Sequence, residues 1–390
     1  MDIEANGNSY LKLIIFTSLN YLLNMKILLL GECSNLHSTL ADGLRLLGHD
    51  VTVASDGSKW MDNEKDVDIA RLGYDLLSSI KYFGSIHNTF RSFKNYDIVQ
   101  IKNPLFLDLK INRNLRFYRY LKKHNAKVFL GAFGTDYFWE KSCFDKKTFR
   151  YSDYYIGENL TNFGAANILK KEWSITQKME ANIEIAESCN GVIACLYEYY
   201  KSYEPYYKDK LTYIPLPINT SLLPYKQKGI EDEKLKFFIG IQKDRSEFKG
   251  TDIMYKALMR INEKYPKETL INKVESVPLS QYVKMMSKSD VLLDQIYSYT
   301  PGMNGLIGMS QGLVLVGGGE PEMYELLNEN KNFPITNVYP SEEDVFNKLE
   351  ELIINKKEIP KLSRNSRSFI EKHHDYFKVA QLYLDFWNSK

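Results

Sequence analysis

The sequence predicts an α/β protein built from two halves, each a parallel sheet with helices on both faces, and three observations carry that expectation. A chain of 390 residues exceeds what one ordinary core organises. Short continuous apolar runs alternate with stretches of helical spacing, the pattern of strands buried on both faces and the helices that cover them. The alternation stops at Leu211-Thr212-Tyr213-Ile214-Pro215-Leu216-Pro217-Ile218-Asn219, whose two prolines stiffen an extended link, and then starts again.

In order, Met25-Lys26-Ile27-Leu28-Leu29-Leu30-Gly31 reads as the first strand, and Leu36, Leu40, Leu44 and Leu47 mark the helix after it. Gly48 ends that helix and 49–54 forms a second strand. Ile98 to Ile101 and Lys127 to Gly131 are further strands, with helical Arg113 to His124 between them. Phe138 to Phe163 is polar, aromatic and irregular, an excursion above the sheet. A helix is expected over Asn167 to Cys189, a strand over Gly191 to Cys195 and a helix over Leu196 to Tyr203. After the link, strands are expected at 235–241, 270–274, 291–294 and 313–317, and helices at 251–265, 278–289 and 304–311. Apolar residues at 369, 376, 377, 380, 384 and 387 predict a terminal helix or helix pair.

Composition narrows the function classes. Fifty-one basic residues against 49 acidic leave a formal charge of +2, so no global field favours nucleic acid, and any anion site must be local. The four cysteines, at 33, 143, 189 and 195, show no CxxC pair and no histidine at metal-ligand spacing, which argues against zinc and fits a reduced, cytoplasmic protein. Residues 1–24 contain an apolar stretch, Leu11 to Leu23, too short to span a bilayer and without a basic leader or cleavage site; it reads as a dispensable extension or a weak membrane anchor. The first turn, Gly31-Glu32-Cys33-Ser34-Asn35-Leu36, lacks the glycines of a dinucleotide fingerprint, which disfavours an NAD-dependent oxidoreductase.

Five loops past strand ends are candidate chemistry. The run from Gly240 to Asp252 places Lys243, Arg245 and Lys249 between a strand and a helix start; Arg245 and Lys249, with free helix N–H groups, suit a diphosphate, and a solvated basic loop is the alternative. Beyond the strand ending at Asp294, Gly302 and Gly305 permit close approach of a ligand to main-chain amides where a helix begins near Asn304, unless this is an ordinary Pro-Gly turn. Glu320 and Glu322 either accept hydrogen bonds from sugar hydroxyls or cap the next helix, as Pro321 in a first turn would explain. In the first half, Asp136 is a candidate base for an acceptor hydroxyl or a helix cap, and Ser34 and His37 face the same cleft.

From Met25 onward the chain resembles bacterial GT-B glycosyltransferases of the large retaining group that builds surface polysaccharides. The resemblance is carried by Gly31 to His37 with Gly43-Leu44 and Gly48-His49-Asp50-Val51, by Phe248-Lys249-Gly250-Thr251-Asp252, by Ser289 to Gln295, by Met303-Asn304 through Gly312, and by Glu371 to Asp375 with Tyr383 to Trp387. It implies two Rossmann-like domains facing each other across a cleft: 25–216 on the acceptor side, with Glu32 and Ser34 in its first loop, and 217–372 on the donor side. Residues 373–390 would cross back to the first domain. It further implies that Arg245 and Lys249 neutralise the diphosphate of a nucleotide sugar and that the loop from Gly302 through Met303 and Asn304 to Gly305 adds amides. Leaving-group stabilisation would then need neither a metal nor a separate cofactor, and Asp66-Val67-Asp68 lies in the wrong place for a metal motif.

One departure stands out. Members of the group commonly have two glutamates eight positions apart in the donor region, and Tyr299 and Ile307 occupy those positions here. Asp294, Glu320 or Glu322 would have to replace the carboxylate that meets the nucleotide ribose. The expected activity is transfer of a sugar from a nucleotide donor to a glycan or lipid-linked acceptor in surface polysaccharide synthesis. The alternative is an inactive homologue that binds a glycan or a partner. A peripheral membrane contact through Lys170-Lys171-Glu172-Trp173 is weighed against a solvated helix face.

Overall fold

Residues 24–58, 63–229, 234–275 and 277–390 are described by the computed structural model. The apolar stretch from Leu11 to Leu23 lies outside them. In the first half, β1 (Lys26–Leu30), α1 (Leu36–Leu46), β2 (Asp50–Ser55), β4 (Ile98–Ile101), α3 (Ile111–His124) and β5 (Lys127–Ala132) alternate as expected, and β3 (Val67–Asp68) and α2 (Leu76–Phe90) add an unforeseen strand and helix between β2 and β4. An excursion follows, consisting of α4 (Tyr137–Phe144), the short antiparallel pair β6 (Tyr155–Ile156) and β7 (Asn159–Leu160), and α5 (Asn162–Asn167). The chain returns through α6 (Thr176–Ser188) to β8 (Gly191–Ala194), α7 (Tyr197–Tyr207) and β9 (Leu211–Tyr213).

The seven parallel strands of this half lie in the order β3-β2-β1-β4-β5-β8-β9. Ile27 to Leu30 are fully buried, as a central strand covered on both faces requires. Leu36, Leu40 and Leu44 bury one stripe of α1, and Gly48, at φ 88°, lets the chain leave the helix through the left-handed region.

The second half holds β10 (Leu235–Ile241), α8 (Ser246–Lys249), α9 (Thr251–Lys264), β11 (Thr269–Glu275), α10 (Leu279–Met286), β12 (Val291–Leu293), α11 (Met303–Ser310), β13 (Val314–Gly317), α12 (Pro321–Leu326), β14 (Thr336–Asn337), α13 (Glu342–Ile354), α14 (Ile359–His373) and α15 (Tyr376–Ser389). Its five parallel strands run β11-β10-β12-β13-β14. Both sheets reverse their strand order, the first between β1 and β4 and the second between β10 and β12. Loops beyond the strands at such reversals form open crevices for ligands.

Two expectations need correction. The helix expected over 167–189 begins only at Thr176, after α5 has ended at Asn167, because the backbone N–H groups of Trp173 and Ser174 turn aside to the buried carboxylate of Glu140 and Trp173 is itself buried. The start of the link, 211–213, is not outside the sheet: β9 pairs in parallel with β8. The Asp-x-Asp at 66–68 is structural, with Asp66 accepting from Arg45 and from the Val53 backbone at 2.7 Å each.

The last stretch is a helix pair whose second member joins the first half. Val379, Ala380, Tyr383, Leu384 and Trp387 form its buried face, and the Trp387 indole N–H donates to Gln100 of β4 at 3.4 Å. Gly43 makes the docking of α15 on α1 possible, since a Cβ there would lie 2.5 Å from the Tyr376 carbonyl oxygen and 2.8 Å from the Ala380 Cβ. Gly43→Val therefore forces the two helices apart and should cost about 1–3 kcal/mol, read as a lowered melting temperature. An unchanged melting temperature would contradict this packing.

Candidate functional site

The crevice of the second half is built by the loops that follow β10 and β12. A tight turn joins α8 to α9 at Gly250, φ 69°, where a Cβ would come within 2.4 Å of Ile296. The Ile296 N–H donates to the Lys249 carbonyl at 3.1 Å, so the basic loop and the loop after β12 are stitched together. Lys249 is thereby half-buried with Asp294 and Arg245 as its charged neighbours, and burial pushes its ammonium below the usual lysine range.

Asp294, buried at the end of β12, accepts from the Asn304 side chain at 2.8 Å and from the Gly305 amide. Burial pushes its carboxyl up, against the pull of Lys249, Asn304 and Gly305. At Gly305 an added side chain would meet Asp294 Oδ2 at 3.1 Å, whereas at Gly302 it would find only Gln295 Nε2 at 3.6 Å. Gly302 is therefore the open position, and Met303 behind it is core. Arg245 is exposed, with its guanidinium 4.9 Å over the Phe248 ring, and its charge is felt at Cys33 and Asp153 of the first half. Charge and hydrogen-bond proximity thus group Arg245, Lys249, Asp294, Asn304 and Gly305 beyond the ends of β10 and β12, with Gly302 at the start of the helix beside them.

The first-half candidates have mostly internal employment. Glu32 is buried and caps the start of α1, accepting from the backbone N–H groups of Cys33 (2.7 Å), His37 (3.0 Å) and Ser38 (2.9 Å). His37 has no exposed surface. Its Nδ1 lies 2.6 Å from the Gly31 carbonyl, which can only accept, so the proton sits on Nδ1; Nε2 is left as a bare acceptor, and burial pushes the ring down to about 4. Asp136 is fully buried as well. It accepts from the Trp139 backbone at 3.0 Å and from the Tyr203 hydroxyl at 2.6 Å, so the helix-cap alternative describes it, and no surface remains for an acceptor. Ser34 alone is exposed, in a left-handed turn at φ 53°.

Glu320 and Glu322 are occupied from across the cleft. Arg150, on the excursion, donates to Glu320 at 2.8 Å and to Glu322 through both terminal nitrogens, while the Tyr151 hydroxyl donates to Glu320 at 2.6 Å. Beside them Tyr299 stacks between Tyr151 (4.8 Å) and Tyr197 (5.3 Å), and its hydroxyl accepts from the Arg150 backbone at 2.6 Å. Glu198 completes the lock by accepting from the Tyr299 and Thr300 amides at 2.5 and 3.3 Å. Phe163 of α5 meets Phe248 edge to face at 5.0 Å. Sequence reasoning missed Arg150 and this aromatic seam, although the density of tyrosines between 118 and 213 was its trace. Trp173 is buried, so the run at 170–173 presents no aromatic ring to a membrane.

No protein-family model and no curated protein sequence matches the chain. Solved structures do. HepE from Anabaena, in complex with UDP and glucose, superposes with a TM-score of 0.58 over 94% of this chain and 100% of its own at 11% identity. WaaG, a glycosyltransferase involved in lipopolysaccharide biosynthesis, gives 0.59 over 93% and 100% at 14% identity. The UDP-GlcNAc 2-epimerase of Neisseria meningitidis, bound to UDP-GlcNAc, gives 0.51 over 93% and 99% at 12% identity. At these identities the likeness speaks for architecture alone. Two facing Rossmann-like halves, each on a parallel sheet that reverses its strand order, and a terminal helix returned to the first half give this chain the GT-B fold.

Proposed function

We propose that the chain is a glycosyltransferase that takes a sugar from a nucleoside-diphosphate donor held on its second half, 217–372, and passes it to a glycan or lipid-linked acceptor on its first, 25–216. The observation that carries this reading is the pairing of Arg245 and Lys249 at the strand reversal of the second sheet, opposite the first-half loop of Cys33. The GT-B neighbours with UDP or a UDP-sugar bound support the donor class. In this reading the two cations and the amides at the start of α11 stabilise the departing diphosphate, so the charge needs no metal. Surface polysaccharide synthesis on the cytoplasmic side of a membrane is the setting we infer from the resemblance.

A second reading is binding without transfer, favoured by the absence of the paired glutamates: Ile307 packs against the core and Tyr299 is spent in the aromatic seam. The two readings part on one assay. The transferase releases nucleoside diphosphate only when acceptor is present, whereas the binder releases none, and an epimerase would change the donor sugar instead.

Calorimetry with UDP, GDP and their sugars tests the crevice. Hydrogen bonds to charged groups contribute about 1.5–3 kcal/mol each, so Lys249→Ala and Arg245→Ala should each weaken the bound nucleotide by about tenfold or more. Wild-type affinity in both variants would remove the site.

Asp136 is assigned to scaffolding. Burial pushes its carboxyl up to about 6, so the contribution it makes to stability is complete below the usual aspartate range and is lost as pH rises through about 6. Asp136→Asn has no such proton to lose, so its melting temperature should lack that part of the decline, with nucleotide affinity unchanged. Loss of transfer with an unaltered melting profile would return Asp136 to the reaction.

A further inference from the structure

We propose that the loop before α2 and the first two turns of that helix dock the first half on an anionic lipid bilayer. Leu72 is 99% exposed, Leu76 76%, Leu77 70%, Tyr74 68% and Ile80 60%. Among the described residues, five of the nineteen large apolar side chains that are exposed thus fall within nine positions. Scattered single leucines need no explanation, but a contiguous protruding set does. The helix is apolar on two sides: Tyr82, Ile86 and Phe90 enter the core, while Leu76, Leu77 and Ile80 stand on the open side.

The protrusion is held in place. Arg71 donates to the carbonyls of Gly73 (3.0 Å) and Asp108 (3.3 Å) and to the Ser79 hydroxyl (2.5 Å), and its guanidinium lies 4.5 Å over the Tyr74 ring. Tyr74 in turn donates to Asp108 at 2.7 Å, and Asp75 caps the helix through the Ser78 amide at 3.0 Å. These bonds keep the leucines from folding back onto the protein, so little ordering cost remains for insertion.

Charge selects lipid over a generic apolar partner. Around the exposed side chains stand the cations of Arg71, Lys81, Lys110 and Arg113 against the carboxylates of Asp75 and Asp108. Lys81, Lys110 and Arg113 are exposed on or beside α2, with Arg113 packed 4.0 Å over Phe83 of that helix. Leucines and a tyrosine flanked by cations match a headgroup boundary, where apolar side chains enter the acyl region and each nearby cation gains from the negative surface. No helix among the described residues is long and apolar enough to cross a membrane, so this contact lies on the surface. Tyr74 also borders a crevice of about 270 Å³ with Gly31, Lys102, Phe106 and Asp108 at the strand reversal of the first sheet. Resting on the acceptor-side reading of this half, docking there would bring that crevice to a lipid-linked acceptor.

The test uses the full chain with vesicles of phosphatidylcholine, alone or doped with phosphatidylglycerol. We expect sedimentation with the doped vesicles, weakened by salt, and a blue-shifted emission for Leu77→Trp on adding them. Joint replacement of Leu72, Leu76, Leu77 and Ile80 by serine should weaken partitioning by about tenfold or more. Lys110→Glu with Arg113→Glu should remove the preference for the doped vesicles. Unchanged melting temperatures in both variants confirm that they are folded. The proposal is overturned if the wild type stays in solution with doped vesicles, or if the serine variant partitions as the wild type does. It is also overturned if the wild type is a dimer without lipid and the serine variant a monomer, which would make this a self-association face. Nucleotide affinity is measured on the same samples, so a failed donor site and a failed docking surface give different results.

Discussion

The architecture depends on two crossings of the chain between its halves that lie side by side. The first is the link at 214–219 and the second the join between α14 and α15. The Ile218 N–H donates to the His374 carbonyl at 2.6 Å, the Tyr376 N–H donates back to Ile218 at 3.1 Å, and the His374 ring holds the Leu216 carbonyl at 2.9 Å. His374 is buried, and burial pushes it down to about 4, so it contributes a neutral hydrogen bond that ordinary pH does not disturb. Each half has an apolar cluster of its own, but a third cluster runs from the first sheet through Ile214, Leu216 and Ile218 and the two terminal helices into the second, so the strip is a packed joint as well as a crossing. Two segments that cross in one narrow strip form a hinge about which two domains can close on a ligand.

Opposite the hinge, the excursion of the first half reaches the second. Its Arg150 ion pairs are about half exposed on the arginine side and so add little stability. The stack of buried Tyr151 and Tyr299 with half-buried Tyr197 does more, since it removes large apolar faces from water and fixes their order. The ion pairs instead select the docked register. They also neutralise Arg150 with Glu320 and Glu322.

What was legible in the sequence follows from how local each cause is. Strands such as Ile27 to Leu30 and Leu235 to Ile241 are covered on both faces, so their apolar runs announce them. The basic loop could be found because a strand, its cations and a helix start lie within one short segment. Asp136, His37 and Glu32 looked chemical because polarity near a strand end is visible and burial is not; the Tyr203 hydroxyl that fills Asp136 comes from a distant helix. The break between α5 and α6 was hidden for the same reason, since Glu140 makes it from outside the segment. The interdomain seam joins residues from opposite halves, and periodicity carries no information about such pairs.

The missing glutamates acquire a physical meaning in this frame. Tyr299 stands where a charged ligand contact would be expected, yet its ring is enclosed by aromatic faces and its hydroxyl serves the Arg150 backbone. A carboxylate there would be desolvated among rings beside Glu198 and Glu322, an arrangement that costs several kcal/mol without a dedicated cation. In this chain the position serves interface closure. Ile307, packed on the core, cannot replace it, and Asp294 is already held by Asn304, the Gly305 amide and the field of Lys249. On the proposed reading, the groups left to meet a ribose are therefore neutral ones, the free face of Asn304 and the amides beside Gly302, and donor affinity rests more heavily on the diphosphate than in relatives that retain the pair.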